Sequence, residues 1–171
     1  MISGEQSTAL PHLRAIEQIA VADLESEELG KIVALWDKWR GGRPMPERRD
    51  IAMKDLGRHL SKISLIRVID DGLDYEFRVI GDAHVEVYDS TFQGKRMSDV
   101  STVSRKIGKM LRTPFDMVHT TRQAIAFRGL IGREFTHAHF SWFEACYLPL
   151  GAPQAGVDHI LNAAFYKPPG L

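Results

Sequence analysis

Two glycines and two prolines stand within six residues, Gly41-Gly42-Arg43-Pro44-Met45-Pro46, and neither a helix nor a strand can run through them. The hydrophobic period differs on the two sides of this break. Before it, Leu29, Ile32, Trp36 and Trp39 step by three, four and three, which lines one face of a helix. Ser26 is placed to cap that helix, Glu27 and Glu28 lie at its positive end, and Arg40 with Gly41 closes it. Further upstream, Leu13, Ile16 and Ala20 share a face, so another helix is expected from Pro11 onward.

After the break the period falls to two. Residues 62–70 and 75–80 read as strands joined at Asp70-Asp71-Gly72, with Tyr75, Phe77 and Val79 alternating against Glu76 and Arg78. Residues 82–100 hold only short helical turns. From about 102 to 119 a helix is expected, with Val103, Ile107, Met110 and Leu111 on its apolar side and Pro114 kinking or dividing it. Residues 122–130, 138–149 and 157–166 read as three further strands. Short turns between strands favour antiparallel pairing, with helices on one face, so the fold class is α+β.

Charge narrows the function classes. Lys plus Arg and Asp plus Glu each number 22, and a nucleic-acid binder would show a basic excess. The single cysteine, Cys146 in an apolar run, forms no internal disulfide and reads as a small buried hydrophobe. The first residues lack the pattern of a signal peptide, and no stretch approaches the ~18 apolar residues of a membrane span. A cytoplasmic chain is therefore expected.

The element order β-β-α-α-α-β-β-β is that of a PAS domain. The residues sharpen the likeness: the run Leu35-Trp36-Asp37-Lys38-Trp39-Arg40-Gly41-Gly42-Arg43-Pro44-Met45-Pro46-Glu47-Arg48-Arg49-Asp50-Ile51, then Phe77-Arg78-Val79-Ile80-Gly81, Gly94-Lys95-Arg96-Met97 and Glu144-Ala145-Cys146-Tyr147-Leu148-Pro149-Leu150. In these the chain resembles a family of short bacterial PAS-like proteins. It departs from that pattern at Asp82, where a threonine is usual, and at Tyr88-Asp89-Ser90, where a glycine is expected. The resemblance implies a PAS-like domain over 29–166, with a five-stranded antiparallel sheet and helices on one face. A polar segment and flanking helix over 1–28 precede it, and a tail over 167–171 follows. It also implies a non-enzymatic sensory or signalling module that binds a small ligand, a partner such as a histidine kinase, or both.

The pocket of such a domain would be lined by Phe77, Val79, His84, Val87, Met110, His119, Phe127 and Phe143. A homodimer or partner surface would use Leu13, Ile16, Ala20, Leu29, Ile32, Trp36 and Trp39, chiefly through the N-terminal helix. The stripe on residues 29–39 also suits packing on its own sheet. No cofactor or metal is predicted. The alternative is a haem or metal sensor through His119 or another histidine, with His119 set against the plainer reading of a helix-end histidine. His137 and His139 point to one strand face but lack a third ligand. A small α+β enzyme is the remaining alternative. Gly-x-Ser-x-Gly and the phosphate-loop motif are both absent, and Arg40, Arg43, Arg48, Arg49, Lys54 and Arg58 read as a solvated basic surface.

Overall fold

A computed structural model describes residues 16–88, 90–103, 105–130 and 142–167, and the structural statements concern these residues. In chain order the elements are β1 (Glu17–Ile19), α1 (Glu27–Arg40), α2 (Met53–Leu56), β2 (Ile63–Ile69), β3 (Asp74–Ile80), α3 (Asp82–Tyr88), α4 (Met97–Val103), α5 (Arg105–Thr121), β4 (Ile125–Leu130), β5 (Trp142–Leu150) and β6 (His159–Lys167). The strands form one sheet in the order β1-β4-β5-β6-β2-β3, and every pairing is antiparallel. The α+β class is as expected. No helix among the described residues is long and apolar enough to cross a membrane.

The sheet has six strands where five were expected. The extra one is β1, paired through Ile19 with Ala126 of β4. The helix expected from Pro11 onward is replaced by this strand over Glu17–Ile19, and Leu13 lies outside the described residues. Ile16 and Ala20 therefore present no helical face. The free edge of β4 supplies backbone partners that a short isolated helix must do without. Arg128 on β4 holds the added strand, pairing with Glu17 at 2.7 Å and with Glu25 at 3.2 Å.

Helix α1 forms as its sequence dictates. Ser26 Oγ accepts from the Leu29 N–H at 3.3 Å, and Gly41 closes the helix at a φ of 57°. Leu29, Ile32 and Trp36 are buried in the common core with Cys146, Leu148 and Leu161. They are thus spent on their own sheet and offer no seam to a partner; Trp39 packs partly against the same core. The indole Nε1–H of Trp36 donates to the Pro149 carbonyl at 2.9 Å. Helices α3, α4 and α5 lie on the opposite face, so the central strands are covered on both sides.

The Gly-Pro break acts as a clamp at the end of α1. Arg43 donates to the carbonyls of Trp39 (2.8 Å) and Arg40 (3.0 Å) and pairs with Asp50 at 2.9 Å. These satisfy carbonyls that a helix C-terminus leaves open. Met45 is buried, and the Pro46 carbonyl accepts from the Gly151 N–H at 2.9 Å. Part of the basic cluster is therefore committed to holding the fold.

The β2–β3 turn runs through Asp70, Asp71 and Gly72 at φ 45°, 53° and 86°, the left-handed region in which Asp is among the more tolerated L-residues. Arg112 of α5 donates to the Gly72 and Leu73 carbonyls at 2.9 and 3.0 Å. Asp116 accepts from Tyr75 Oη at 2.6 Å. Tied to the hairpin in this way, α5 continues through Pro114, so the proline does not divide the helix.

Glu144 on β5 is wholly buried. Its carboxylate accepts the Glu25 N–H at 2.9 Å and the Ser26 N–H at 2.8 Å. Glu144→Gln turns one acceptor into a donor facing a donor. We expect it to cost about 2 kcal/mol, read as a lower urea midpoint at unchanged slope; a change below about 0.5 kcal/mol would show that the contact is dispensable.

Candidate functional site

Between the sheet and α3–α5 the chain leaves a cavity of about 330 Å³, within the ~300–1,000 Å³ span of small-molecule sites. Alternation along the strands decides which side chains reach it. Glu144, Cys146 and Leu148 face α1, so Phe143, Ala145 and Tyr147 of β5 face the cavity; β6 contributes Asn162, Ala164 and Tyr166, and β2 contributes Ser64 and Ile66. Aromatic rings dominate the walls. Phe115 of α5 meets Phe77 and Tyr147 with ring centroids 6.1 and 5.9 Å apart, and Phe127 meets Tyr147 at 6.1 Å, edge-on geometries favoured by ring quadrupoles.

Of the residues expected in a pocket, Phe77, His84, Met110, Phe127 and Phe143 lie on the wall. Val79 does not. A β-bulge at Arg78 sets Ile66 opposite Phe77 but Leu65 opposite Val79, and the extra residue turns the strand over. Ile80 takes the cavity position, while Val79 lines a shallow apolar groove with Met53, Leu60 and Leu65. Val87 is buried but stands off the cavity wall. His119 is also off it, beside the hairpin, with Nε2 3.3 Å from Asp71 Oδ1. It has no access to a group held in the cavity, so the haem reading loses its proximal ligand. His137 and His139 lie outside the described residues. Among the described residues no three His, Cys, Asp or Glu side chains gather as a metal site. Cys146 faces away from the cavity, and burial pushes its thiol up to about 12, far from a reactive thiolate.

His84 was expected on the wall, but its polar neighbours Ser64, Tyr88, Asn162 and Tyr166 are what sequence reasoning missed. His84 is 5% exposed. Its Nε2 lies 3.0 Å from the Lys62 carbonyl, which accepts only, so Nε2 carries the proton. Nδ1 is then an acceptor, and Tyr166 Oη donates to it at 3.2 Å. Tyr166 also shares a hydrogen bond with Tyr88. With its hydroxyl hydrogen directed at His84, Tyr166 is left to accept from Tyr88. Burial drives all of these groups towards their neutral forms: His84 falls to about 4, Tyr88 rises to about 12, and Tyr147 and Tyr166 rise well above the ordinary phenol range. The available signals were parity with Phe143 on β5, alternation on β6, and Tyr88 standing where a glycine was expected.

Ser64 and Asn162 form a cross-strand pair on the cavity floor. Asn162 Nδ2 donates to the Cys146 carbonyl at 3.1 Å, which fixes the orientation of its amide. Ser64 is 2% exposed, and its hydroxyl has no hydrogen-bond partner in the protein. The cavity is a slot with aromatic walls and a small polar floor.

A family model described as PAS domain matches residues 24–163. No curated protein and no solved structure gives a significant match.

The buried histidine carries a pH signature. His84 is held neutral down to about pH 4, against 6.5 for the free side chain. The unfolded chain therefore takes up the proton first as pH falls. Stability is full above about pH 6.5 and declines towards pH 4, by at most about 3 kcal/mol from this group. Denaturation at pH 7 and pH 4.5 should show a smaller decline in His84→Phe than in the native chain, and an equal decline would remove His84 as the cause.

Proposed function

The chain belongs to the PAS domain family, and from that premise we propose that it works as a sensory or signalling module which holds a small, largely apolar molecule between its sheet and α3–α5. The observation that carries this reading is the aromatic-walled cavity of about 330 Å³. Protein interiors are usually closed by interdigitated side chains. Here Ala145 and Ala164, the smallest residues on the wall, leave space where larger apolar residues would fill it.

Occupancy would be passed to a partner signalling protein such as a histidine kinase. The walls that would feel a ligand are tied to the outer surface: Phe115 lies on α5, which Arg112 and Asp116 bind to the β2–β3 hairpin. The run from Trp36 to Ile51 places the chain, in our reading, with the short bacterial members of the family. Its residues close α1 and pack the sheet, so they support the fold and leave sensing to the opposite face. A role without catalysis fits a wall on which His84, Tyr88 and Tyr166 are neutral and hydrogen-bonded to one another. A homodimer remains part of the proposal, but its seam excludes Leu29, Ile32 and Trp36, which are buried against the sheet.

Native mass spectrometry of freshly purified protein tests this. The spectrum is expected to show a bound small molecule at a mass below about 500 Da, by analogy with ligands that fit sites of this volume. Ala164→Phe should fill the cavity, abolish the added mass and leave the far-ultraviolet circular dichroism unchanged. An added mass that persists in Ala164→Phe would place the ligand elsewhere.

A further inference from the structure

We propose that the molecule taken by this cavity is uncharged and presents one hydrogen-bonding group to Ser64, set against an otherwise flat apolar body; this rests on the cavity-binding reading above. The first observation is the composition of the wall. Among the described residues that line it there is no Asp, Glu, Lys or Arg. A carboxylate, phosphate or ammonium entering there would leave water without meeting an opposite charge, at a cost of several kcal/mol.

The second observation is how the wall's polar atoms are used. His84 gives Nε2–H to the Lys62 carbonyl and takes the Tyr166 hydroxyl on Nδ1. Tyr166 is further engaged with Tyr88, and Asn162 Nδ2 is engaged with Cys146. These bonds lock the wall in its neutral tautomeric state. They leave the chain no protonated imidazole with which to greet an anion.

The third observation is a buried hydroxyl. Ser64 Oγ is buried on the cavity floor with no partner in the protein. Buried hydroxyls left unpaired are costly, and a ligand group at this point removes that cost. A serine hydroxyl both donates and accepts, so it suits a phenol, alcohol, amide or ketone equally. Phe77, Phe115 and Phe127 border the same space and favour a flat body by ring contact. Charged cofactors such as haem, flavin nucleotides and free fatty acids fall outside this class.

Three probes with one common two-ring body separate the possibilities: naphthalene, 2-naphthol and 2-naphthoate, titrated at pH 7 into the whole chain and followed by ligand-observed nuclear magnetic resonance. We expect 2-naphthol to bind most tightly and 2-naphthoate to bind at least tenfold more weakly. Ser64→Ala should weaken 2-naphthol by about tenfold, the worth of one hydrogen bond, and leave naphthalene unchanged. Ser64→Cys, closer to serine in size, repeats the comparison if the alanine variant folds poorly. Equal or tighter binding of 2-naphthoate overturns the inference while the cavity reading stands. So does a preference for 2-naphthol over naphthalene that survives in both Ser64 variants. Failure of all three probes to bind, in the native chain as in Ala164→Phe, overturns the cavity reading itself and this inference with it.

Discussion

A carboxylate removed from water has to be satisfied where it stands, and Glu144 sets the geometry of everything around it. It sits in β5, a central strand, and takes the N–H groups of Glu25 and Ser26 at 2.9 and 2.8 Å. The start of a helix leaves its first N–H groups without internal partners, so this bond anchors the approach to α1 on the middle of the sheet. Trp36 repeats the anchorage further along α1, through the Pro149 carbonyl. With one face of β5 committed to α1, strand alternation sends Phe143, Ala145 and Tyr147 to the other. The back wall of the cavity is a consequence of where Glu144 points.

The two faces divide the work. The α1 face is apolar and closed, and the arginine-rich connector locks the helix end onto it. The opposite face keeps space among aromatic rings. Its polar groups form a relay from the Lys62 carbonyl through His84 and Tyr166 to Tyr88, in which each buried atom finds a partner and none carries charge. Ser64 Oγ is a buried hydroxyl of the wall that finds no partner in the protein.

Much of the fold was legible because local rules agreed with the tertiary outcome. The Ser26 cap, the Leu29–Ile32–Trp36 stripe, the Asp-Asp-Gly turn and the strands around it all follow from short-range spacing. Phe77, His84, Met110, Phe127 and Phe143 reach the cavity as periodicity and chain order suggested. Val79 does not, because the bulge at Arg78 has no mark in the hydrophobic pattern and reverses every side chain beyond it. Leu13, Ile16 and Ala20 carry a helix-compatible spacing, yet Glu17–Ile19 pair with the open edge of β4. His119 has the position of a ligand in chain order, but the turn of α5 aims it at Asp71.

The sequence by itself determined an α+β chain with a capped, half-apolar helix, a rigid Gly-Pro connector, a tight hairpin and no charge excess. Those properties depend on neighbours within a few residues, where period and turn chemistry act directly. Only the tertiary structure decided that β1 joins the sheet, that α1 closes one face, and that Ser64, Tyr88, Tyr147, Asn162 and Tyr166 converge on one cavity. These residues are spread over β2, α3, β5 and β6. Their meeting rests on strand register and on the Glu144 anchor, which are set by long-range pairing and leave no local periodic trace.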